Sequence, residues 1–405
     1  MLTNRSDLAM SNVPARNMSC DQTSSTAAFA HDDLSRDVYG LFGVPVDAAD
    51  RASVLRKVMA AAEARKPFLL STPNVNFMAE SRRDPRFRES LLQSDHCCPD
   101  GMPIVWISRL LGIPIKQRVS GADLFEALRS HSSSRPLKVF LFGGSEGVAE
   151  TVCKLLNERP SGIRCVDWFS PGFGTVEEIS DDKVIERINA SNADLLAVFL
   201  SAKKGQFWLL QNHDRLYIPI RGQFGSTINY QAGTVRRAPK ILQRLGFEWL
   251  WRIKEEPYLW RRYARDGLFL LTTVTTRVLP IAALGWRRYI LNNKKEELSF
   301  WRHEHQGSSV IGLVGFATQM HVTKSIAFFR SVLVGCRDVT IDVSQTRLID
   351  PRFFGLLLML RKQLANKGKT LKFAGLSKRS RRIFRLNGFD FLLESDSSLE
   401  RIRHG

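Results

Sequence analysis

The apolar positions of this chain change period several times. In SVLRKVMAAAEARKP, from Ser53, they recur every three to four residues, the spacing of one helix face. PFLLSTPN follows as a short unbroken apolar run closed by a turn and reads as a strand. DPRFRESLLQSD returns to helical spacing, with Asp84 as N-cap before Pro85. A short segment ending in CCPDG comes next, then a helix from Met102 to Leu111 and another in GADLFEALRSHS. LKVFLFGGSEGVAETVCKLLNER is strand, glycine turn and helix in succession. DLLAVFLSAKKGQFWLLQN repeats the arrangement, and YIPIRGQFG is one more apolar strand. Continuously apolar strands alternating with helices predict an α/β fold with a Rossmann-like core.

At 405 residues the chain is too long for one ordinary core. Residues 1–38 lack periodicity and any apolar signal-peptide region, and read as a disordered tail. The alternating pattern occupies 39–235. From 236 to 292 the composition shifts to basic, aromatic helices. The polar run Asn292-Asn293-Lys294-Lys295-Glu296-Glu297 marks a linker, placed at 293–306. Residues 307–405 then show a second, smaller alternation: VIGLVGF, a helix near Val322–Val334, VTIDVSQTRLIDPRFFGLLLML, and a helix carrying Leu386-Asn387-Gly388-Phe389. That length suits an independent α/β domain.

The net charge of +19 points to an anionic partner. QRLGFEWLWRIKEEPYLWRRYARDG, from Gln243, concentrates three tryptophans, two tyrosines and five arginines. Nucleic acid, a membrane surface or an anionic substrate would each suit such a mixture. Base stacking needs rings on an open sheet or groove, whereas these rings lie on helices beside an apolar stretch, which argues against nucleic acid. The stretch itself, Leu268 to Trp286, approaches the length of a membrane span but carries Arg277 at its middle. A central arginine costs roughly 2.5–3.5 kcal/mol on insertion scales. A helix lying in the interface is the preferred reading, ahead of burial against protein and of a true span. KTLKFAGLSKRSRR reads as a solvated basic helix face rather than a nucleic-acid patch. The six cysteines form no CxxC pair and read as free thiols in a reducing cytosol.

Three segments sit where carboxyl ends of parallel strands direct side chains into a ligand crevice: Thr72-Pro73-Asn74, Asp100-Gly101 and Arg118-Val119-Ser120-Gly121. Taken alone, Asp100 is an aspartate bonding its own turn; the other two segments shift the balance toward a site. Gly143 and Gly144, in FGGSEGVAE, open a helix whose backbone N–H groups could hold a phosphate, or form a plain tight turn.

The run TPN…PDGMPIVW…QRVSGADLF…FLFGGSEGVAE…GTVRRAPKILQRLGFEWLWRIKEEPYLWRRY resembles the WecG/TagA/CpsF glycosyltransferase family from about Tyr39 to Arg265. That resemblance implies inverting transfer of a sugar from a UDP-sugar to a polyprenyl-diphosphate-linked sugar. The reaction would run at the cytoplasmic membrane face, in cell-surface or exopolysaccharide synthesis, without metal or other cofactor. It implies Asp100 as catalytic base, Thr72 and Asn74 as the polar pair beside it, and Arg118 as the arginine of the R-V-x-G motif. By the same resemblance Arg252 and Arg262 match appendage arginines expected to close over the diphosphate, and Gly143, Gly144, Gln206 and Arg237 are expected as further substrate contacts. A carboxylate takes the acceptor proton, and arginine forks suit phosphate oxygens. The sequence departs from the family where G-x-P-K-Q-E would place Gln and Glu at Gly205 and Gln206, and where Leu259 replaces a third appendage arginine. A catalytically altered scaffold is therefore the alternative reading. Ser308 to Leu393 resembles a STAS domain of the anti-sigma-factor-antagonist type. Pro351 and Arg352 stand where its phosphorylated serine would follow Asp350, so a constitutive protein-docking role is expected.

Overall fold

The computed structural model describes residues 32–132, 135–290, 297–305 and 307–393. Residues 1–31 of the expected tail lie outside that set, but its last residues correct the expectation. Asp33–Ser35 form a 3-10 turn with Asp33 and Leu34 buried, and a hairpin follows, β1 (Val38–Leu41) against β2 (Val44–Asp47). The hairpin is buried throughout, which is why residues 32–38 are ordered despite their polar composition.

α1 (Arg51–Glu63) opens with a reciprocal cap between Asp50 and Ser53. β3 (Phe68–Ser71) leads into α2 (Val75–Arg83), capped by Asn74. α3 (Pro85–Leu92) begins as the pattern predicts, with Asp84 accepting from the N–H groups of Arg86 and Phe87. β4 (His96–Cys97), α4 (Met102–Leu110) and α5 (Gly121–Ser130) come next. They are followed by β5 (Leu137–Gly143), α6 (Val148–Glu158), β6 (Ile163–Phe169) and α7 (Asp182–Ala190). β7 (Leu195–Phe199), α8 (Ala202–Gln211), β8 (Ile220–Gln223) and the short α9 (Thr227–Gln231) complete this part.

Among the described residues the strands form a six-stranded sheet, ordered β4-β3-β8-β7-β5-β6 and parallel at every pairing. Phe68, Ile220, Leu195 and Val139 stand level across it and bury on one face; Leu69, Leu196 and Phe140 bury on the other. Burial on both faces, worth roughly 1.5–3 kcal/mol per large side chain, is what makes the central strands unbroken apolar runs. β6 lies at the edge and is only partly buried, so IRCVDWF lacks that run and escaped the sequence reading, as did α7 after it. Cys153 on α6 and Cys165 on β6 lie 5.2 Å apart at Cα and form a disulfide. This corrects the expectation of free thiols for these two, while Cys97 and Cys98 form no disulfide among the described residues: spacing along the chain does not reveal a helix packed across its neighbouring strand.

The appendage comprises α10 (Lys240–Leu245), α11 (Glu248–Glu255) and a long helix. The long helix runs as α12 (Trp260–Thr273), a π-helical turn (Val274–Val278) and α13 (Leu279–Ile290). Its inner side, including Phe269, Leu270 and Val278, packs with Phe77 of α2 and with Ile104 and Val105 of α4.

β9 (Leu298–His305) pairs antiparallel with β10 (Ser308–Ala317), so most of the expected linker is a sheet strand. Residues 291–296 and 306 lie outside the described set. α14 (Val322–Val334), β11 (Asp338–Asp342), β12 (Thr346–Ile349), α15 (Pro351–Asn366), β13 (Leu371–Ala374) and α16 (Lys378–Asn387) follow. β10 lies between β11 and β12, both parallel to it, and β13 extends the sheet beyond β11.

α15 joins the two sheets. Leu34, Val38 and Leu92 share an apolar cluster with Phe353, Leu357 and Leu360. A Cβ at Gly355 would lie 2.0 Å from the Val38 carbonyl oxygen, so the close approach of helix and hairpin requires glycine there. Arg352 donates to the carbonyls of Val38 and Arg36 (3.1 and 3.0 Å), and buried Lys362 reaches Asp33 (3.2 Å) and Asp95 (2.8 Å).

Candidate active site

All six strands of the larger sheet point the same way, so their carboxyl ends share one edge. Backbone hydrogen bonds there tie three separate segments together. Cys98 N–H donates to the Ser71 carbonyl (2.8 Å), Asp100 N–H to Pro73 (2.9 Å), and Val119 N–H to Pro99 (2.7 Å). The strand end bearing Thr72 and Asn74, the turn bearing Asp100 and the segment bearing Arg118 thus become one surface.

Asp100 keeps partial exposure, yet protein surrounds it densely. Burial raises its carboxyl to about 7; Arg118 opposes the rise, Glu248 and Asp123 add to it, and a hydrogen bond with the Asn74 side chain opposes it. Asn74 also caps α2 through Phe77 N–H (3.2 Å), which fixes its rotamer toward the turn. Thr72 is buried at the end of β3.

Four charges close a ring beside Asp100. Arg118 pairs with Glu248 through Nη1, and its Nε lies 3.6 Å from Asp123. Arg237 pairs with the same two carboxylates, at 2.5 Å to Asp123 and 3.4 Å to Glu248. Arg118 further donates to Gln243 Oε1 (3.3 Å). For Asp123, burial would raise the carboxyl, but Arg237 and Arg118 hold it below the ordinary range. The ring fastens α10 and α11 to α5 and the R-V-S-G segment. Glu248 and Asp123 were not anticipated as site residues; the signal was present in EWLWR and SGAD, but a pairing over such separation leaves no local spacing.

Arg252 extends the cationic surface. It donates to Ser226 Oγ (2.7 Å) and Tyr230 OH (2.5 Å) and pairs with Glu256. Arg262 lies over the Tyr263 ring at 4.7 Å, and its Nε has no hydrogen-bond partner among the described residues. Gly143 and Gly144 have φ of 105° and 83°, and a Cβ on Gly143 would lie 2.8 Å from the Phe199 carbonyl oxygen. Their turn abuts Ile228 of α9, the helix that also carries Tyr230. Gln206 is buried and donates to Ser71 Oγ (3.0 Å), so it supports the strand end from beneath. At Gly205 an added Cβ would lie 2.7 Å from Gln223 Nε2: the Gln223 amide fills the space left by the missing side chain. Leu259 is buried.

The profile of the glycosyl transferase WecG/TagA/CpsF family matches residues 39–281, well over half of the chain. The chain belongs to that family. A profile described as Mlab, STAS domain matches residues 302–394, and the smaller sheet with its helices is a STAS domain. Two similar proteins are each named N-acetylglucosaminyldiphosphoundecaprenol N-acetyl-beta-D-mannosaminyltransferase. One, from Bacillus spizizenii, is 29% identical over 47% of this chain and 72% of its own length. The other, from Bacillus subtilis, is 24% identical over 51% of this chain and 78% of its own length. A crystal structure of an anti-sigma factor antagonist from Mycobacterium paratuberculosis is 17% identical and covers 27% of this chain and 96% of that one, with a TM-score of 0.23. The transferase thus carries its candidate base, its cationic ring and its appendage at one edge of a parallel sheet.

Proposed function

We propose that the transferase moves a sugar, with inversion and without a metal, from a UDP-sugar to a sugar on polyprenyl diphosphate. Asp100 takes the proton of the acceptor hydroxyl as its oxygen bonds to the anomeric carbon, and the bond to UDP breaks on the opposite face. Arg118, Arg237, Arg252 and Arg262 meet diphosphate charge, of the leaving UDP or of the lipid-borne acceptor. The observation that carries this reading is a carboxyl raised to about 7 beside Arg118. A general base is most effective with a pKa near the working pH. The names of the Bacillus relatives support amino sugars as donor and acceptor.

The reading includes work at the inner face of the cytoplasmic membrane, in cell-surface polysaccharide synthesis. Among the described residues one helix, Pro257–Gly285, is long and apolar enough to cross a membrane by length and composition. One side of it packs on α2 and α4, while Leu268 and Leu271 are 65% and 60% exposed, as is Trp260 at 56%. That asymmetry favours a helix lying in the interface with rings at headgroup depth. Trp251 is the ring tied down, donating to the Arg236 carbonyl (2.9 Å). α15 of the STAS domain holds this chain's own hairpin, so a separate protein partner would use the remaining faces.

The test incubates the full chain with a panel of UDP-sugars and short-chain polyprenyl-diphosphate-N-acetylglucosamine, with mass detection of product. A disaccharide lipid made by the wild type and lost in Asp100→Asn is expected. Product formation by Asp100→Asn at the wild-type rate would remove the base assignment; no product from any donor would favour the altered scaffold.

A further inference from the structure

The π-helical turn in the long appendage helix carries Arg277, which is only 7% exposed. Four other enclosed arginines have carboxylate partners, Arg36 with Asp47, Arg118 with Glu248, Arg252 with Glu256 and Arg352 with Asp37, and buried Arg221 donates to the His213 carbonyl. Arg277 differs. Its Nη1 meets no hydrogen-bond partner, and no carboxylate forms an ion pair with it among the described residues. The charges close enough to act on it are Arg82 at the end of α2, Asp390 after α16 and Arg385 on α16, two cations against one anion. α16 packs against the π-turn itself, so the STAS domain covers one side of this turn. The exposed face of α16 adds Lys378, Arg379, Arg381 and Arg382.

A buried guanidinium facing further cations opposes folding unless an anion meets it. Burial, then repulsion from Arg82, places its pKa below the ordinary value, the direction of an uncompensated charge. π-turns inside α-helices are frequent at functional sites. We propose that Arg277, Arg82 and Arg385 form a binding site for a phosphate group at the junction of the appendage helix and the STAS domain. Two sources share that chemistry, the headgroup of an anionic phospholipid and a free phosphate. The site lies on the same helix as exposed Leu268 and Leu271, which favours the lipid; only this choice of source rests on the membrane reading. Such a site would seat the STAS domain on the headgroups and hold the apolar helix in the membrane plane.

The experiment uses the full chain. Wild type and Arg277→Met are melted in phosphate-free buffer with dihexanoylphosphatidylglycerol below its micellar concentration, or with inorganic phosphate. A saturable rise in Tm in the wild type, lost in Arg277→Met, is expected. Arg82→Gln and Arg385→Gln, on exposed side chains, each weaken the apparent Kd about fivefold. A rise with the lipid alone assigns a headgroup, and equal rises assign free phosphate. No rise in the wild type, or one that Arg277→Met retains, overturns the site. Should Arg277→Met fail to fold, the Arg82→Gln/Arg385→Gln double variant decides, wild-type affinity overturning the proposal. Flotation with phosphatidylcholine vesicles, with and without phosphatidylglycerol, separates the two readings. An Arg277-dependent rise without flotation ends the membrane reading and keeps the site; flotation without that rise does the reverse.

Discussion

Burial lifts the Asp100 carboxyl to about 7, so near neutral pH it is present in comparable protonated and ionised amounts. Only the carboxylate can accept the acceptor's proton, so kcat/KM should climb with pH along an acid limb of apparent pKa near 7. Glu248 contributes to the raised value; in Glu248→Gln that limb should move to lower pH, and an unmoved profile would detach Glu248 from Asp100. Asp100→Asn should lower kcat by roughly 10²–10⁴, the range for loss of general-base catalysis. The same residue costs stability. Its folded pKa exceeds the unfolded 3.8, so its contribution to stability is present at acid pH and is lost as pH rises through the folded value. At pH 8, Asp100→Asn should raise unfolding free energy by about 2 kcal/mol, discounted for partial exposure; urea titration checks this.

Appendage and core meet through the ring of Arg118, Glu248, Arg237 and Asp123. Removing one carboxylate leaves two guanidinium groups sharing the other in a partly enclosed space. Glu248→Ala should therefore loosen α10 and α11 by about 2 kcal/mol, seen as faster amide hydrogen exchange in 240–255 while β5 and β7 stay protected. Uniform exchange with the wild type would mean the helices dock by apolar contact alone. In the same way the disulfide clasps α6 to the edge strand β6. Cys153→Ser should cost roughly 2–3 kcal/mol under oxidising conditions, and nothing once the wild type is reduced.

The two sheets are bound through α15 and the hairpin rather than joined by a tether. Lys362→Met would leave Asp95 enclosed without its cation and Asp33 with Arg36 as its remaining cation, at a cost of about 3 kcal/mol, measurable by denaturant unfolding of the full chain. Gly355→Ala should be at least as damaging, since its Cβ has no room before the Val38 carbonyl. A chain ending at Asn293 would expose Leu34, Val38 and Leu92 and should lose solubility; a soluble, fully active truncation would contradict a shared core. What could be read from the sequence depended on forces acting over a few residues. Helical spacing, the Asp84 cap, unbroken central strands and motif order placed the elements and brought Asp100, Asn74 and Arg118 into one list. The edge strand, the hairpin, the disulfide, the Arg118–Glu248 pair across 130 residues and the unpaired Arg277 had no such mark. Folding decided them, because burial and Coulomb energy depend on distances between elements remote along the chain.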